Sequence, residues 1–63
     1  MSSDAVVETV ARLLYQRDAA VFAITQGATQ PAWDELTDTA LGRYTLEASY
    51  IVEKVKEALN DGD

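Results

Sequence analysis

The side chains here that could do acid–base chemistry are carboxylates and phenols: eleven Asp and Glu, three Tyr, and no His or Cys in 63 residues. Without imidazole or thiolate there is no cysteine nucleophile, no Cys- or His-containing zinc set and no His-containing di-iron motif. General acid or base work would fall to Asp34, Glu35 and Asp38, which crowd into one short stretch. A carboxylate becomes a useful acid near neutral pH in an apolar setting. These three instead lie at the start of a helical repeat, where negative charge favours the positive end of the helix dipole. Their expected role is capping. Gly27, Gly42 and Gly62 are too scattered to cradle a phosphate. The sequence therefore predicts no catalytic residue, no cofactor-binding residue and no metal ligand. The expectation is a protein that is not an enzyme, the remaining catalytic option being a site of carboxylates and tyrosines formed between subunits.

The elements that position these groups read as two helices. Val7, Leu14 and Val21 fall seven apart, as do Val6, Leu13 and Ala20, while Val10 and Ile24 flank Arg17 on a third line. Ser2, Ser3 and Asp4 can cap the first amides, and Glu8 and Arg12 stand four apart in the favourable order. Neither Gly nor Pro interrupts Gln16–Asp18, so one continuous helix is predicted over about 4–26. Gly27 supplies a left-handed stop and Pro31 cannot extend the ladder. A connection over about 27–37 follows, with one helical turn within Pro31–Leu36. Thr37 caps a second helix over about 38–60, in which Leu41, Ala48 and Val55 alternate with Tyr44, Ile51 and Ala58. Gly42 lowers the stability of that helix by about 1 kcal/mol relative to Ala, and is expected to admit close approach of the Trp33 loop.

The fold class is thus all-α: a single domain over residues 1–63, formed as an antiparallel helical hairpin. The predicted register sets Ile24 near Leu41, Arg17 near Ala48, Val10 near Val55 and Val6 near Leu59. A chain this small buries only about 60% of its unfolded surface, and without Cys or His it lacks the usual staples. Self-association into a bundle, as a homodimer or higher, is therefore expected. Phe22, Trp33, Leu46 and Tyr50 are the predicted protein-interaction residues, because Leu46 and Tyr50 occupy a helix face otherwise carrying Arg43 and Lys54.

The formal charge of −6 opposes nucleic-acid binding, which needs clustered Lys and Arg. The longest apolar run, Ala19–Ile24, is too short to span a bilayer. No membrane association and a cytoplasmic location are expected.

Val10-Ala11-Arg12-Leu13-Leu14-Tyr15, then Trp33-x-x-Leu36, then Arg43-Tyr44-x-x-x-Ala48 together resemble a pattern in short helical proteins of bacteriophages and their bacterial hosts. The resemblance spans most of the chain and implies a small helical accessory protein that binds a host protein, with no activity attached. The Trp33–Tyr44–Ala48 spacing is also similar to the last half of an HMG box, where an aromatic pair packs the junction of two helices. This chain lacks that family's basic residues, which puts DNA bending in doubt. The expected function is a non-enzymatic interaction module whose partners are itself and another protein. The alternative is an acidic nucleic-acid mimic that blocks a basic groove.

Overall fold

The computed structural model describes residues 3–61: α1 (Ser3–Gln26), a 3-10 turn (Trp33–Glu35) and α2 (Asp38–Asp61), with no strand among the described residues. The two helices pack against each other as an antiparallel hairpin, and their bounds fall within one residue of those predicted. Helix α1 runs unbroken through Gln16–Asp18. It ends where Gly27 adopts a φ of 66° and its N–H donates to the Ala23 carbonyl at 3.1 Å. Helix α2 begins where the Thr37 hydroxyl accepts the Ala40 N–H at 3.2 Å and the Thr37 carbonyl accepts the Leu41 N–H at 2.9 Å. The expected caps at Ser2 and Gly62 lie outside the described residues. Between the helices, the Glu35 carboxylate accepts the Ala32 N–H at 3.0 Å and fixes the short turn.

Each helix has 24 residues and so a length of about 36 Å. The molecule is 45 Å long.

Three rings join the layer. Tyr15 on α1 lies 5.9 Å from Trp33 in the loop and 5.5 Å from Tyr44 on α2, while Trp33 and Tyr44 are 6.2 Å apart, all in tilted or edge-on geometry. The Tyr15 hydroxyl donates to the Pro31 carbonyl, tying the loop back onto α1. The Arg12 guanidinium sits 5.8 Å from the Trp33 ring centre. One turn further along α1, the Tyr44 hydroxyl donates to Asp18 Oδ2 at 2.7 Å, a direct polar bond between the two helices.

The buried core is small: Ala11 and Tyr15 from α1, Ala48 and Val52 from α2. This corrects the predicted register. Tyr15 must reach Pro31 and Trp33, and Asp18 must reach Tyr44, so α1 turns its Ala11–Tyr15–Asp18 line inward. The Val10–Arg17–Ile24 line is rotated out by about 100°, one residue's turn. Ile24 is left 84% exposed. Arg17 does not lie over Ala48 but pairs with its neighbour Asp18, through Nε at 3.1 Å and Nη2 at 2.8 Å. At the open end the prediction is closer, since Val6, Val10, Val55 and Leu59 border one groove. The role expected of Gly42 does not occur, because a Cβ at that position would face open space.

Two predictions follow from this packing. Gly42→Ala adds a methyl group that touches nothing and removes the flexibility of glycine. Thermal unfolding should therefore show a stabilisation of about 1 kcal/mol, roughly 4–8 °C in Tm for a domain of this size; an unchanged or lower Tm contradicts the placement of Gly42 on an open face.

The second concerns pH. Burial, and then the neighbouring Asp18, push the Tyr44 phenol from 10.0 up to about 12. The Tyr44 hydroxyl first, and Arg17 second, hold the Asp18 carboxyl below its usual value of 3.8. The stability from Tyr44 is complete below its ordinary value and disappears as pH rises through the folded one; that from Asp18 is complete above its ordinary value and disappears as pH falls through the lowered one. Tm should be flat between about pH 5 and 9 and fall on both sides, and Tyr44→Phe should make both limbs shallower. Superimposable pH profiles for the two proteins would contradict the bond.

Candidate interaction surface

The Trp33 loop lies on one side of the two-helix layer, beside Val7, Glu8, Leu41 and Thr45. The other side is open. An apolar groove there is bordered by Val6 and Val10 of α1 and by Ile51, Val55 and Leu59 of α2. Towards the loop end it gives way to a groove bordered by Val21, Phe22, Arg17, Arg43 and Tyr44. On α1, positions 6, 10, 13, 17, 21 and 24 are spaced by four and three, and so follow one flank of the helix. On α2, positions 44, 47, 51, 55 and 58 have the same rhythm. Apolar side chains occupy all of these except Arg17 and Glu47.

Val21 and Val55 are more than half exposed and Leu59, at the end of the groove, is 70% exposed, whereas exposed Leu13, two residues from both Ala11 and Tyr15, points away from α2. A folded monomer of 6.9 kDa is expected to expose about 4000 Å² of surface. This chain exposes 4878 Å². The excess of about 900 Å² is that of an elongated two-helix molecule, 45 × 23 × 18 Å in extent.

The two arginines on this side are paired with carboxylates, and Lys56 borders the apolar groove. Arg17 pairs with Asp18 at 2.8 Å and Arg43 with Glu47 at 3.7 Å. The acidic excess of the chain lies elsewhere, with Glu8 beside the loop, Asp34 and Glu35 within it, and Glu53 and Glu57 on the outer flank of α2. The Asp18–Tyr44 pair is not poised for proton transfer near pH 7: its carboxyl is held down and its phenol up, so both keep their ordinary neutral-pH forms. Among the described residues, no group of three carboxylates converges as metal ligands would. No described helix is long and apolar enough to cross a membrane.

The four predicted interaction residues fall on different sides. Phe22 borders the groove at the loop end of the open face and is half-buried. Trp33 is half-buried in the ring cluster on the opposite side, where it packs against Tyr15 and Tyr44. Leu46 and Tyr50 are 74% and 65% exposed, each two residues from buried Ala48 and hence on the far flank of α2. The Lys54 ammonium lies 5.5 Å from the Tyr50 ring centre and also pairs with Glu57 at 3.3 Å, so that flank is partly dressed in charge.

Sequence reasoning missed Val21, Ile24, Ile51 and Val55, because the predicted seam hid Ile24, Ile51 and Val55 and placed Val21 within the apolar arc. The available signal was Arg17, a charge on the same line as Val10 and Ile24. No family model, curated protein or solved structure matches this chain.

Proposed function

We propose that the chain is a non-enzymatic interaction module, a helical hairpin that works by presenting its open apolar face to another polypeptide. The carrying observation is the apolar groove bordered by Val6, Val10, Ile51, Val55 and Leu59, on the side that the Trp33 loop leaves bare. Contiguous exposed apolar surface of this kind marks an interaction site. The surrounding ion pairs fit the polar rim of such an interface.

The mimic of nucleic-acid phosphates draws its support from the net charge alone. A mimic needs carboxylates in an uninterrupted row. Here Glu8 pairs with Arg12, Asp18 with Arg17, Glu47 with Arg43 and Glu57 with Lys54. Such alternation weakens the field that a basic groove would read.

Site-specific photocrosslinking in the native host separates the two readings. With the crosslinker at Val21 or Val55, protein adducts should form and persist at about 0.5 M salt, since apolar contacts are little screened. A crosslinker at Glu53 should give few. Adducts confined to Glu53, and lost on adding salt, would overturn this reading in favour of the mimic.

A further inference from the structure

We draw no further inference here: the strongest candidate, the apolar groove that Val6 and Val10 of α1 form with Ile51, Val55 and Leu59 of α2, carries nothing beyond the interaction reading, because nothing in the structure shows what covers it.

Discussion

The packing of Tyr15, Trp33 and Tyr44 is the constraint on which the rest of this hairpin depends. Each ring comes from a different element, so the cluster sets three relations together: the rotation of α1, the register of α2 and the side on which the loop lies. Edge-on aromatic pairs contribute about 0.5–1.5 kcal/mol each beyond the area they bury. That is a large share of what a chain with four buried apolar residues among those described can offer. Once Tyr15 faces the loop, Ala11 one turn earlier faces α2, and small side chains at Ala11 and Ala48 let the helices close to contact. The same rotation carries Arg17 and Ile24 outward and leaves Val10 half-buried at the groove. The bare face is thus a consequence of the aromatic joint.

The distribution of charge agrees with this division. The loop side is acidic and holds Arg12 against the Trp33 ring, whereas the open side carries the paired Arg17 and Arg43, with Lys56 at the groove. Asp18 joins both patterns: it anchors Tyr44 across the helix pair and neutralises Arg17 at the edge of the open face. A single carboxylate therefore fixes the helices and removes a charge from the surface offered to a partner.

The element boundaries were legible in the sequence because local chemistry determines them. Gly27 must take a positive φ, Pro31 cannot continue a helix, and the Thr37 hydroxyl needs only the amide three residues on. The rotation of α1 was not legible, because it depends on contacts between residues far apart, Tyr15 with Trp33 and Asp18 with Tyr44. In an apolar pattern Val10 and Ile24 outweigh Ala11, although close helix approach favours the smaller side chain. The candidate surface suffered from the same error. Leu46 and Tyr50 were recognisable as exposed, since nothing on their flank calls for burial, but Ile51 was assigned to the seam and is 36% exposed. Arg17 was the one residue whose type conflicted with the predicted seam, and that conflict marked the true outward line.

The most direct test of this account is a double-mutant cycle between Tyr15 and Trp33, using Tyr15→Leu, Trp33→Leu and the double variant in thermal or denaturant unfolding. The joint predicts a coupling free energy of about 1 kcal/mol, with additive effects when Trp33→Leu is combined with Leu46→Ala on the far flank. Additivity of the Tyr15 and Trp33 substitutions to within about 0.3 kcal/mol would contradict it, and would remove the reason for placing the bare face where it is.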